Sequence, residues 1–510
     1  MKNWKRWLLA ILLTLVIAFV YYYINLPALN IHSAGFWCFV ILMVFVFAIV
    51  LSFRSVWKSG HVSFGKKGLD IQKGTMGPYR YLFYLGGVLL LIFLIGSVLS
   101  SPIINAKKYQ KLMQVEERDF TADIKEVDFD TIPLLDRDSA AILGSRKMGS
   151  MVDMVSQFEV ADDYTQINVS GKPVRVTPLM YASPIKWLTN QKNGIPAYIQ
   201  IDMTTQDTEC VKLTEGIKYS ESEMFNRYIW RHIRFRYPTY IFADQIFFEI
   251  DDEGTPYWIC PVKKFNIGLF GGVTVGRVVL CNAITGECTD YQADEVPTWV
   301  DKVYQAELLM QLYDYHGMLQ HGYLNSVLGQ RDCLQTTNGY IAMNDDVWVY
   351  SGVTSVSGDQ SNVGFVLMNQ RTMETRFYRI EGAIEDSAMS SAEGQVQNLG
   401  YVASFPLLLN ISDEPTYFMA LKDSAGLVKK YAMVNIQKYQ WVAIGDTVKE
   451  CKKAYNALLS TNGIRTSENA DDLEITGKIA TYVPVVIDGN SHVYFTLEGD
   501  KTVYDADLTN

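Results

Sequence analysis

Few residues in this 510-residue sequence are spaced for chemistry, and the best placed are three arginines. Apolar spacing predicts a helix over Glu221–Arg236, opened by the capping box Ser220-x-x-Glu223, in which hydroxyl and carboxylate satisfy the first backbone N–H groups. On that helix Arg227, Arg231 and Arg234 share one face, and Phe225, Ile229 and Ile233 another. A row of guanidinium groups in an otherwise acidic region suits carboxylates or phosphates, which arginine grips through paired N–H bonds. These three are the candidate binding residues, facing an acidic partner protein or an anionic wall polymer. The plainer alternative is a solvated face, with Glu223 pairing Arg227 one turn on.

Catalytic patterns are missing. Six histidines are few for a catalytic chain of this length, and His316 and His321, five apart, do not share a helix face for zinc. The sequence has no H-E-x-x-H, C-x-x-C or G-x-S-x-G. Gly271–Arg277 imitates a phosphate loop but lacks its Lys and the following Ser or Thr, so it reads as a glycine-rich hairpin turn. Asp123, Asp128, Asp130, Asp136 and Asp138 match no EF-hand spacing and read as an acidic linker. No catalytic residue, cofactor or metal is therefore expected. Cys281 and Cys288 flank the Thr285-Gly286 turn and are placed to sit nearly opposite each other, as a disulfide or as buried free thiols.

The elements that position these residues begin in a membrane. Trp7–Ile24, Phe36–Phe53 and Tyr81–Ser100 are uncharged apolar runs, each long enough to cross roughly 30 Å of hydrocarbon at about 1.5 Å per residue. Tyr21-Tyr22-Tyr23 stands where a signal peptidase would need small residues, so the first run is an anchor. Basic residues number three before the first run, none in the loop at 25–35 and six at 54–80. By the positive-inside rule the N-terminus is cytoplasmic and everything after Ser100 is outside. Residues 1–100 hold nine Lys or Arg and one acid; of the totals of 45 and 55, that leaves 36 basic and 54 acidic residues beyond, a net −18. So acidic a region is a poor ligand for nucleic acid, whose affinity comes mainly from phosphate neutralisation.

After the anchor (1–100), residues 101–160 read as a stalk, with Asp138 as the N-cap of a short helix that ends before Gly149. Two α+β units follow, at 161–296 and 336–460, each an antiparallel sheet with a helix. The segment Tyr198–Glu209 aligns with Phe365–Arg376, setting Asp202 on Asn369, Thr205 on Thr372 and Thr208 on Thr375. Each copy opens with a hairpin, turning at Ser170-Gly171 or at Asn344-Asp345, and carries a helix, at 221–236 or about 387–399. Sheets of this kind bury one face under the helix and leave the other wet. A linking helix, Val300–His316 after Pro297, joins the units within 297–335. Residues 470–510 form a small β-module around the Asp488-Gly489 turn.

From Ser222 to Tyr291, a helix and a meander ending in Asn282-Ala-Ile-Thr-Gly286-Glu287 resemble a PepSY module, with Asn where that family usually has Asp. The tight turn requires Gly286 at positive φ. The resemblance implies a non-catalytic module that binds partners or restrains peptidases in the bacterial envelope. More broadly, Val296–Tyr304, Tyr350–Ser355 and Phe405–Asn410 are similar to ectodomains of membrane proteins from Gram-positive bacteria, some labelled colicin V production-like. The fold class expected is three N-terminal transmembrane helices, then tandem PepSY-like α+β units and a β-module. The function expected is a non-enzymatic envelope protein that binds a partner or wall component. The alternatives are a membrane-anchored hydrolase or peptidase regulator, and a sensor or accessory subunit of a transport complex.

Overall fold

The computed structural model describes residues 2–59, 62–65, 68–71, 80–125, 135–343, 347–356, 361–464, 466, 476–487, 490–499 and 502–507. Three N-terminal helices, Lys2–Asn25, Ala34–Ser59 and Arg80–Leu99, contain stretches long and apolar enough to cross a membrane. They pack through aromatic rings, Trp7 on Phe47 and Phe45 on Phe83, at centroid distances of 5.8 and 6.0 Å. Gly86 lies flat on the Phe45 ring, where a Cβ would come within 2.8 Å of it. Small residues let helices approach this closely in lipid.

The chain divides into two compact units, residues 1–120 with 130–384, and residues 121–129 with 385–510. The division falls inside the second α+β unit expected from the sequence. In the larger unit the first sheet holds Phe158–Val160, Thr165–Val169, Lys172–Tyr181, Ile195–Asp202 and Thr208–Ile217. The second is a meander of Phe247–Ile250, Pro256–Ile267, Gly271–Asn282 and Cys288–Gln292. The third runs Leu334–Met343, Val347–Ser355, Gly364–Asn369 and Thr375–Tyr378, with Glu116–Arg118 added in parallel at its edge.

Around Trp258–Cys260 and Val278–Cys281 the second sheet is covered on both faces, where one wet face was expected. Trp258, Cys260, Val279 and Cys281 pack with the first sheet, whereas Phe247, Ile259, Val278 and Leu280 pack with Val349, Val353 and Val366 of the third. Alternation along a strand sends neighbours to opposite faces, and here both faces are apolar. That shared core is why the third sheet belongs with residues upstream of it rather than with those after Ile384.

Several predicted boundaries move. The Glu221–Arg236 helix is real only as Ile229–Arg236, preceded by a single 3-10 turn, Phe225–Arg227. The Ser220/Glu223 capping box does not form, because the buried Glu223 carboxylate accepts from Tyr181 Oη and Trp187 Nε1, both at 2.7 Å. The linking helix is Ala306–Met318, while Val300 and Val303 are buried in the extended segment before it. The short helix Arg137–Ser150 is capped by Asp136, not Asp138, and runs past Gly149. Much of the stalk is not free-standing: Tyr109, Met113, Phe120 and Met148 are buried in the larger unit. Asp128 and Asp130, and the turns Asn344-Asp345 and Asp488-Gly489, lie outside the described residues.

One turn recurs at three places. Asp202, Asn282 and Asn369 each accept, through Oδ1, the backbone N–H groups two and three residues on, at 2.8–2.9 Å. The threonine hydroxyl three residues on then accepts the N–H of Asp207, Glu287 or Glu374. Between them Gln206, Gly286 and Met373 take φ of 64, 75 and 64°. An Asx side chain that mimics a backbone turn explains the Asp/Asn-x-x-Thr spacing.

In the smaller unit, helix Glu385–Gln395 lies close to the expected position. A sheet follows, in which Leu407–Ile411, Glu414–Lys422, Val428–Asn435 and Val442–Gly445 are successive antiparallel neighbours and Val402–Ala403 also pairs with Glu414–Lys422. Helix Val448–Thr461, which the sequence reading did not include, buries Cys451, Tyr455 and Leu459 and opens with a true capping box of Thr447 and Glu450. The last sheet, Ile479–Ile487, Asn490–Leu497 and Tyr504–Asp507, is the small β-module.

Candidate functional site

The three arginines are not a solvent-exposed row. Arg227 donates to Gln191 O at 2.5 Å. Arg231 donates to Phe225 O and Tyr23 O, at 2.7 and 3.2 Å, and Arg234 is buried, donating to Leu26 O at 2.9 Å and to Tyr240 O. Burial pulls the Arg234 guanidinium down to about 10, so it stays charged at neutral pH. Arg231 and Arg234 thus satisfy carbonyls at the end of the first membrane helix and in the loop after it. That loop is held again by Leu29 N donating to Pro238 O at 2.7 Å and Asn30 Nδ2 to Thr239 O at 3.0 Å. At the third membrane helix, Ser100 Oγ accepts from Leu269 N and Phe270 N, the tip of the long hairpin of the second sheet.

A cavity of about 560 Å³ opens between the first sheet, the second sheet and helix Ala306–Met318. Phe247, Phe248, Trp258 and Met310 supply apolar wall, and Arg175 and Lys302 are its buried cations. Its exposed charged members are Arg137, Asp162, Asp163, Glu221 and Glu307, so the rim is acidic and the base cationic. Lys302 reaches its place because the segment before the linking helix is pinned: the N–H groups of Asp301 and Lys302 donate to the Glu249 carboxylate at 3.0 and 2.9 Å. Gln370 fixes the other side, accepting from Val303 N and Tyr304 N and donating to Tyr304 O. Lys302 Nζ donates to Gln370 Oε1 at 3.0 Å; an ammonium has three donors, so capacity remains for a ligand. Burial pushes Lys302 down to about 8, with Glu249 opposing, and pushes Glu249 up, helped by Asp301. Arg175 donates to Leu135 O and Gln166 Oε1 at 3.2 and 3.3 Å.

A second cluster lies on the face of the second sheet that meets helix Ile229–Arg236. A ring nitrogen of His232 and the Sγ atoms of Cys281 and Cys288 all lie within 4.8 Å of one another. The cysteines are direct cross-strand partners, as their flanking of the turn suggested, and both thiols are free. The Cys281 hydrogen bond, then His232 and Arg236, hold the Cys288 thiol down to about 6 against burial. Cys281 is raised by that same bond and by burial. Burial alone would lower His232, but Cys288 and the Gly286 carbonyl leave it raised. Cys288 is buried and is not among the residues that line the cavity.

Neither cluster was among the residues singled out for binding. The mark left in the sequence by Lys302 is two charges, Asp301-Lys302, set between Val300 and Val303. His232 leaves no mark, since its approach to the thiols depends on helix-to-sheet packing. No family model matches the chain, and no curated protein matches it. A crystal structure of an ACO/RPE65 chimera, in a monoclinic form, aligns over 71% of this chain at 8% identity with a TM-score of 0.14. The alignment spans 64% of that protein's length, and a score this low carries no argument about fold or activity.

Proposed function

We propose that the chain is a membrane-anchored binding protein of the cell envelope, with a cytoplasmic N-terminus and the region after Ser100 on the outer face. The basic residues before and between the apolar helices, against the acidic region beyond, support this orientation. In this reading the cavity takes an acidic group of a partner protein or wall component, seated against the Lys302 ammonium. The single observation behind it is Lys302, a buried cation at the base of an apolar-walled cavity whose rim is acidic. That gradient suits a ligand with a carboxylate or phosphate inside and an amine at the mouth, such as a peptide end or a zwitterionic polymer. Glu249, the raised carboxylate beside Lys302, is engaged by two backbone N–H groups, which favours binding over hydrolysis.

The tandem reading belongs to this proposal. The first and third sheets share an order of hairpin, strand, Asx turn and strand, and the second and fourth are meanders; helices Ile229–Arg236 and Glu385–Gln395 stand between them in the chain. Gly286 at positive φ in the Thr-Gly-Glu turn supports a PepSY-like module over Ser222–Tyr291.

The test uses full-length protein in detergent micelles, titrated with short peptides bearing free or amidated C-termini and with purified anionic wall polymer. Lys302→Met should weaken the tightest of these by at least about tenfold, since leaving a buried charge unpaired costs about 2–5 kcal/mol. Equal affinity for wild type and variant would overturn the assignment of the cavity.

A further inference from the structure

We infer that His232, Cys281 and Cys288 form a three-ligand site for a thiophilic metal ion, zinc foremost, with the fourth position open to water. The argument starts from register. Asn282 N donates to Glu287 O at 2.8 Å, so that pair is hydrogen-bonded and the adjacent pair, Cys281 with Cys288, is not. Non-hydrogen-bonded positions bring Cα atoms to about 4.5 Å and their side chains closest together on one face. Both thiols are buried beneath helix Ile229–Arg236, which contributes His232 from above.

Ligand chemistry and distance agree. Two thiolates with one imidazole are an established three-ligand zinc set that leaves the fourth position to water, at about 2.3 Å to sulfur and 2.0–2.1 Å to nitrogen. Tetrahedral ligand atoms then sit roughly 3.3–3.8 Å apart, so a group already within 4.8 Å closes by side-chain rotation alone. The ring of His232 is held for this, tilted at 49° with its centroid 4.4 Å from that of Tyr219 and bonded to Gly286 O at 2.7 Å. A disulfide between Cys281 and Cys288 would not need His232, and the approach of its ring to both thiols favours the metal. Binding exchanges thiol protons for the ion and requires no oxidant. The ion would tie the helix that carries Arg231 and Arg234 to the second sheet.

Full-length protein, reduced and in detergent, should take up about one equivalent of cobalt(II) with a thiolate charge-transfer band, and zinc should displace it. His232→Gln and Cys288→Ser should each weaken uptake by at least tenfold. On the wild type alone, zinc should slow alkylation of Cys281 and Cys288 by at least tenfold, and a chelator should restore it. The inference is overturned by unchanged uptake in Cys288→Ser, by alkylation indifferent to zinc, or by peptide mapping that finds Cys281 and Cys288 joined in protein taken from membranes. None of these outcomes depends on the cavity or its ligand.

Discussion

The guanidinium of Arg231 lies over the ring of Tyr23, 4.0 Å from its centroid, and donates to the backbone oxygen of the same residue. A cation from the folded region is thus fastened to the end of the first membrane helix. Arg234 repeats the device one turn on, at Leu26 O.

This clamp makes the arginines structural. Arg234→Ala should destabilise the larger unit by about 1–3 kcal/mol, the cost of leaving the Leu26 and Tyr240 carbonyls without their charged donor. Arg231→Ala should cost less, about 0.5–2 kcal/mol, chiefly the cation–π contact. Thermal unfolding in detergent measures both, and native-like melting of the double variant would refute the clamp.

Topology is open to chemical labelling. In intact cells a membrane-impermeant thiol reagent should reach a cysteine placed at Thr461, which is exposed, but not one placed at Lys66. The reverse pattern would put the acidic region in the cytoplasm.

Lys302 predicts a pH dependence whose sign can be worked out. Its folded pKa, lowered to about 8, lies below the unfolded value near 10.4, so folding releases a proton between them. Stability should therefore rise with pH across about 8 to 10.4, by an amount on the order of 3 kcal/mol at full shift. Lys302→Met should flatten this rise in a series of melting curves. Parallel curves for variant and wild type would show that Lys302 is solvated.

The recurrent turn separates backbone strain from packing. Met373 and Gln206 show that the left-handed position tolerates a side chain, so Met373→Gly should change stability by less than about 1 kcal/mol. Gly286→Ala should cost about 1–3 kcal/mol, because its Cβ would meet the Tyr219 ring at 2.3 Å. Comparable small effects at both positions would mean the Tyr219 ring yields.

What the sequence determined by itself is local. The apolar runs fixed three membrane-length helices because each can be read within about 20 residues. The hairpin at Ser170-Gly171, with φ of 52 and 79°, and the Asp202, Asn282 and Asn369 turns follow from side chains bonding their own neighbours. Only the tertiary structure decided the rest. Glu223 looked like a capping residue, and was claimed instead by Tyr181 and Trp187, about 40 residues upstream. Arg231 and Arg234 looked like a docking face, and were claimed by carbonyls 208 positions away. Lys302 fell inside the linking helix expected from Val300, and instead lies in the extended segment before Ala306. Glu249 and Gln370, distant in the chain, draw its segment into the core and leave the ammonium at the base of a cavity. His232 meets two thiols for the same reason: a helix and a sheet pressed together by apolar burial set polar neighbours that no spacing along the chain encodes.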